Sequence, residues 1–117
     1  VLMRLGEKQA ALRLYRHVAD HAPQPVARQN ALAFLARFHA RRGERQLAHR
    51  LWRRLARQFR GGLYEHTALR QLVRRTCRKR TAEARRWRRL LKPHARSHAG
   101  SRQLLSRCTP LEETHGK

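Results

Sequence analysis

The chain has 117 residues, with 29 Lys and Arg against 7 Asp and Glu, a formal charge of +22 and 40% hydrophobic residues. That length accommodates one small domain rather than two full ones, no apolar run approaches the roughly 20 residues a membrane-spanning helix needs, and two cysteines are too few for a disulfide-dense scaffold. The apolar share suffices for a modest core, while a compact body at +22 repels itself and points to a polyanionic partner.

Apolar spacing is helical almost throughout. Between Glu7 and Asp20, Ala11, Leu14, Tyr15 and Val18 recur at three- and four-residue intervals, which predicts a first helix. Pro23 and Pro25 break it, and Pro25 suits the first turn of a second helix. That helix runs to about Arg42 with Ala27, Ala31, Phe34, Leu35 and Phe38 on one side, and Gly43 ends it. From Glu44 to Phe59 an apolar stripe of Leu47, Ala48, Leu51, Trp52, Leu55, Ala56 and Phe59 defines a third helix, with arginines on its other faces, stopped by Gly61-Gly62. A fourth helix is expected over Tyr64 to Arg78 with Ala68, Leu69, Leu72 and Val73 inward. Thr81 is the expected N-cap of a fifth, whose inward residues are Ala84, Trp87, Leu90 and Leu91 and which ends near Pro93. His94 to Gly100 reads as a loop, Ser101 as the cap of a short helix to Arg107 with Leu104 and Leu105 seeking cover, and Thr109 to Lys117 as a tail. With four valines, no isoleucine and no period-two run, strands are not expected, and the fold class is all-α.

Tyr15, Trp52 and Trp87 occupy matching places in helices one, three and five, 37 and 35 residues apart, preceded four residues earlier by Ala11, Ala48 and Glu83 and nine residues earlier by Gly6, Gly43 and Arg78. A period in the mid-thirties built from helix pairs marks a helical solenoid. The set Leu35-Ala36, Gly43, Ala48 and Trp52, and the set Gly6, Ala11, Tyr15 and Pro23, resemble the tetratricopeptide repeat. His39, Leu55 and Arg60 depart from that pattern, which brings the looser half-a-tetratricopeptide repeats of RNA-processing factors into consideration. The resemblance implies antiparallel helix pairs stacked as a short solenoid over residues 1–93, two better repeats in 2–60 and a degenerate, strongly basic third in 63–93, followed over 94–117 by a loop, a short helix and an irregular tail.

The densest basic tract carries Arg70, Arg74, Arg75, Arg78, Lys79, Arg80, Arg85, Arg86, Arg88, Arg89, Lys92 and Arg96, opposed only by Glu83. Arg70, Arg74 and Arg78 share one expected face of helix four, and Arg85, Arg88, Arg89 and Lys92 one of helix five. Like charges at such spacing destabilise an isolated helix, so the stripes make sense with phosphates between the side chains. Arg50, Arg53, Arg54 and Arg57 of helix three complete the expected RNA-contacting set. A solvated basic face is the plainer alternative, and the preference for Arg over Lys, 25 to 4, also fits a GC-rich coding sequence.

RNA is favoured over DNA, because no helix-turn-helix, zinc-finger or basic-zipper pattern is present and structured RNA is bound by shape and backbone. Trp52, Trp87, Phe34, Phe38 and Tyr15 sit at core spacing and read as packing residues; Tyr64 is the aromatic best placed for exposure. Cys77, His94, His98 and Cys108 are zinc-type ligands without a Cys-x2-Cys knuckle, and two free, partly buried thiols in a reducing compartment are the preferred reading. Glu7, Glu44 and Glu65 fall at helix starts, Glu112 and Glu113 are adjacent in the tail, and no phosphate loop or nucleophile elbow is present, so no enzyme, cofactor, metal or small-molecule substrate is expected. The expectation is a structural RNA-binding component of a large ribonucleoprotein, contacting rRNA or other structured RNA and neighbouring proteins. By analogy with the small basic repeat proteins of mitochondrial ribosomes it is placed in the mitochondrial matrix, with the nucleolus or nucleus as the alternative. A protein-binding adaptor for an acidic partner and a nonspecific DNA-binding protein are the competing functions. Val1 in place of an initiator methionine is compatible with a processed chain or a fragment.

Overall fold

A computed structural model describes residues 5–115. Among these residues there are helices and no strand, as the apolar spacing requires. The chain divides into two compact units, Val1–Tyr64 and Glu65–Lys117.

The first unit holds α1 (Leu5–His21), α2 (Pro25–Arg41) and α3 (Arg45–Gln58). Helix α2 packs against both α1 and α3. Its central position explains why it is buried on most of its circumference, with Gln29, Ala31, Leu32, Ala33, Leu35, Ala36 and His39 all covered. Three alanines in that set, Ala31, Ala33 and Ala36, let the neighbouring helices approach. Pro25 occupies the first turn, and Gly43 closes the helix at a φ of +77°. The Gly43 amide donates to the Ala40 carbonyl and the Glu44 amide to the His39 carbonyl, the paired bonds of a left-handed glycine cap. On α3 the buried residues are Ala48, Trp52, Leu55 and Ala56, and Trp52 is 1% exposed. On α1 the covered residues are Leu12 and Ala19, with Tyr15 stacked on Phe34 at 4.0 Å. Leu14, part of the expected apolar set, is 62% exposed, while Ala11, Tyr15 and Val18 are half-buried: the covered face of α1 is centred on Leu12, Tyr15 and Ala19. Gln29 is buried because its side-chain oxygen accepts from the Leu63 amide at 3.0 Å, which ties the Gly61-Gly62 turn to α2.

The second unit holds α4 (Glu65–Arg75), α5 (Ala82–Ala95), α6 (Ala99–Cys108) and α7 (Leu111–His115). Helices α4, α5 and α6 each pack on the other two. The core is Ala68, Leu69, Leu72, Val73, Ala84, Trp87, Leu91 and Leu104. Thr81 caps α5, its hydroxyl accepting from the Ala84 amide at 3.0 Å, and Glu83 accepts from the Trp87 indole at 3.0 Å.

Four boundaries differ from the sequence expectation. Helix α4 stops at Arg75 rather than Arg78, because the Thr76–Arg78 segment turns and Arg78 takes a φ of +61°. Helix α5 carries Pro93 within its last turn and continues to Ala95, so the expected His94–Gly100 loop shrinks to the residues before Ala99. Ser101 is fully buried inside α6 and the N-cap is His98. The expected tail contains α7, anchored by acidic side chains described below.

Candidate functional site

The first unit carries a groove along the α1 and α3 walls, floored by Leu35 and His39 of α2. Its middle section has a volume of about 240 Å³ and is lined by Arg16, Asp20, Leu47, Arg50, Leu51 and Arg54 among others. A second depression of about 560 Å³ along α3 shares Arg50, Leu51 and Arg54 with it and is also lined by Arg53, Arg57 and Gln58. A third, of about 370 Å³, shares Arg16 and His39 with it and is also lined by Lys8, Arg13, Phe38, Arg42 and Glu44. Eight cationic side chains therefore line the three sections against two carboxylates.

Both carboxylates are engaged. Asp20 pairs with Arg54 Nη1 at 2.8 Å. Glu44 Oε1 lies 2.7 Å from His39 Nδ1 and 3.6 Å from Arg42 Nε. The hydrogen bond with His39 holds the Glu44 carboxyl below its ordinary pKa, with Arg42 and Arg16 adding to the effect. Arg13 and Arg50 enter no ion pair among the described residues, and both are exposed. The floor and lip are apolar, supplied by Leu12, Leu35, Leu47, Leu51 and Phe38. Lys8 and Arg42 both lie over the Phe38 ring, at 5.7 and 5.4 Å from its centroid.

The expected RNA-contacting residues of α3 separate in the structure. Arg50 and Arg57 are exposed, Arg53 is half-buried, and all three border the groove. Arg54 is committed to the fold, bonded to Asp20, to the Ala19 carbonyl and to Gln58. Tyr64 is half-buried rather than exposed: its hydroxyl donates to Asn30 Oδ1 at 2.8 Å and Arg37 lies over its ring.

In the second unit the expected stripes are broken by packing. Arg74, Lys79, Arg80, Arg85, Arg86, Arg89, Lys92 and Arg96 are exposed. Arg70 and Arg75 are half-buried. Arg78 leaves the helical row of Arg70 and Arg74, donating its amide to the Cys108 carbonyl at 2.7 Å and its Nε to the Arg107 carbonyl at 2.9 Å. Arg88 is a correction: it is 1% exposed and cannot contact RNA from this position. Its Nε donates to Glu113 Oε2 at 2.7 Å and its Nη2 to Glu113 Oε1, a bidentate pair that holds the Glu113 carboxyl below its ordinary pKa. Arg80 pairs with Glu112 through a single contact, Nη2 to Oε2, between two exposed side chains.

The cysteines are a second correction. Cys77 and Cys108 are joined in a disulfide instead of being free thiols, so neither can offer a thiolate to zinc with His94 and His98. Among the described residues no group of three or more His, Cys, Asp or Glu is arranged to hold a metal ion. Three histidines do gather: the His66 ring lies 4.7 Å from that of His94 and 4.3 Å from that of His98, and His66 Nε2 is hydrogen-bonded to Ser101 Oγ at 2.7 Å. Burial, then His94, His98 and Arg70, hold the His66 imidazole below its ordinary pKa.

Sequence reasoning missed Lys8, Arg13, Arg16 and Arg42, which complete the groove. They are scattered along α1 and at the end of α2 and form no local cluster; only the packing of α1 and α3 on α2 brings them together. Comparison with protein-family models, with curated proteins and with solved structures gives no match to this chain.

Proposed function

We propose that the protein is a structural RNA-binding component of a large ribonucleoprotein, fastening phosphate backbone rather than reading bases. The observation that carries this reading is the groove of the first unit, where eight cations face two carboxylates that are already paired within the chain. A surplus of guanidinium groups along a concave track is suited to a row of phosphates, each able to accept two parallel hydrogen bonds. The exposed arginines of α4 and α5 give the second unit a basic surface of its own. A tetratricopeptide-like repeat in the first unit accords with α2 packing on both its neighbours, and belongs to this proposal. So does the assignment to a mitochondrial ribosome in the matrix. There the Cys77–Cys108 bond would need protection from soluble thiols; Cys108 is buried and Cys77 half-buried.

The test is crosslinking in cells followed by sequencing of the bound RNA. Recovery of discrete rRNA segments is expected. A complex that persists unchanged after nuclease digestion, with no RNA above background, would instead identify an adaptor for an acidic protein. Equal affinity for duplex DNA and structured RNA would identify a nonspecific DNA-binding protein.

A further inference from the structure

We propose that the pocket around Arg88 on α5 is a phosphate-binding site that the chain's own helix α7 fills with Glu113, and that an RNA phosphate displaces α7 from it. The inference rests on the RNA-binding reading above and adds a site and its intramolecular competitor.

Three observations converge on it. Arg88 is fully buried, yet only two of its three nitrogens are satisfied: Nε and Nη2 donate to Glu113, while Nη1 is buried with no hydrogen-bond partner. A guanidinium matches carboxylate and phosphate with the same two-pronged geometry, and a phosphate group presents more acceptor oxygens than a carboxylate does. The surroundings are cationic beyond what one carboxylate needs: Arg85 and Lys92 also act on Glu113, and Arg80 pairs with Glu112. In a chain with only seven acids, two adjacent ones sit against the densest basic tract.

The element that fills the site is built to leave. Helix α7 has five residues, and its one aliphatic side chain, Leu111, is 76% exposed. The Cys77–Cys108 bond fixes the last turn of α6 to the turn that follows α4. Displacement of α7 therefore pivots at Thr109-Pro110 without unravelling α6. Once α7 leaves, the Arg88 guanidinium loses its bidentate acceptor, and the nearest exposed cations on α5 are Arg85, Arg89 and Lys92.

The experiment compares the affinity of an RNA hairpin for the wild type, Glu113→Gln and Glu7→Gln at one ionic strength. Both substitutions raise the net charge equally, but only the first frees Arg88. The expected result is a gain of about tenfold for Glu113→Gln beyond that of Glu7→Gln, as when a competitor that leaves a tenth of the sites open is removed. That extra gain should vanish in Glu113→Gln/Arg88→Gln. Equal gains for the two single variants would overturn the proposal. A second measurement uses the unaltered protein: cleavage by a glutamate-specific protease after Glu112 and Glu113 should accelerate severalfold in saturating inorganic tripolyphosphate. No acceleration would overturn the site. If tripolyphosphate releases α7 while no variant binds RNA, the site stands and the RNA reading falls.

Discussion

Arg54 of α3 donates its Nη2 to the carbonyl of Ala19, 35 residues earlier at the end of α1, at 3.2 Å. Arg28 of α2 donates Nε to the same carbonyl at 3.1 Å. Guanidinium groups from two helices thus converge on the C-terminal end of a third, where the helix dipole favours cations. Arg50, one turn earlier on α3, faces the groove and makes no such link. Arg54→Ala is expected to lower stability by about 1 to 2 kcal/mol, discounted for partial exposure. Arg50→Ala should change stability by less than about 0.5 kcal/mol yet weaken RNA binding and reduce the salt slope by about one. Urea unfolding and filter binding on the two variants separate the roles.

Arg88 and Arg89 are neighbours in sequence with opposite duties, one 1% exposed and the other exposed. Arg88→Ala removes a large buried side chain and leaves Glu113 without its partner, a loss on the order of 2 to 4 kcal/mol. Arg89→Ala should be neutral within about 0.5 kcal/mol. Thermal melts of the two single variants check the contrast.

The order of helices and most of their inward faces are legible from apolar spacing alone, and the whole expected inward set of α4 is buried. Arg88 shows where legibility stops. It lies at the position between Ala84 and Leu91 that the helical period assigns to the core, and its charge masked that signal in a tract read as uniformly basic. Its partner Glu113 lies 25 residues away, beyond any local pattern. The groove is illegible for the same reason: Lys8, Arg16 and Arg42 become neighbours only through tertiary packing. The Cys77–Cys108 bond likewise depends on α6 folding back against α4, which no spacing rule supplies.

The disulfide closes a loop across a sequence separation of 31 residues. Restricting the unfolded chain over a loop of that size is worth about 3 to 4 kcal/mol on the loop-entropy scale. Cys108→Ser, or reduction of the wild type, should lower the stability of the second unit by about that amount and leave the first unit's transition in place. Hydrogen exchange read unit by unit, with and without reductant, measures it.

The His66 imidazole is held below its ordinary pKa, chiefly by burial and further by His94, His98 and Arg70. The folded state therefore binds this proton less readily than the unfolded chain. Just below the ordinary histidine pKa the unfolded state carries more protons, so stability falls as pH falls through that window. The urea midpoint of the second unit should drop between about pH 7.5 and about pH 5.5, and His66→Gln should flatten that slope. Glu113 acts lower on the scale: its depressed pKa contributes stability above the ordinary carboxyl range, lost as pH falls through the folded value.

In the proposed function, guanidinium groups of the folded chain engage a row of phosphates. Its most direct measurement is the affinity for a structured RNA as ionic strength rises from about 50 to about 200 mM. With six to ten phosphates engaged, affinity should fall by about 10³ to 10⁵ over that range, and charge reversal at Arg13, Arg16 and Arg50 should flatten the dependence. Affinity that is absent at low salt in a folded protein, or that does not change across the range, would contradict the account.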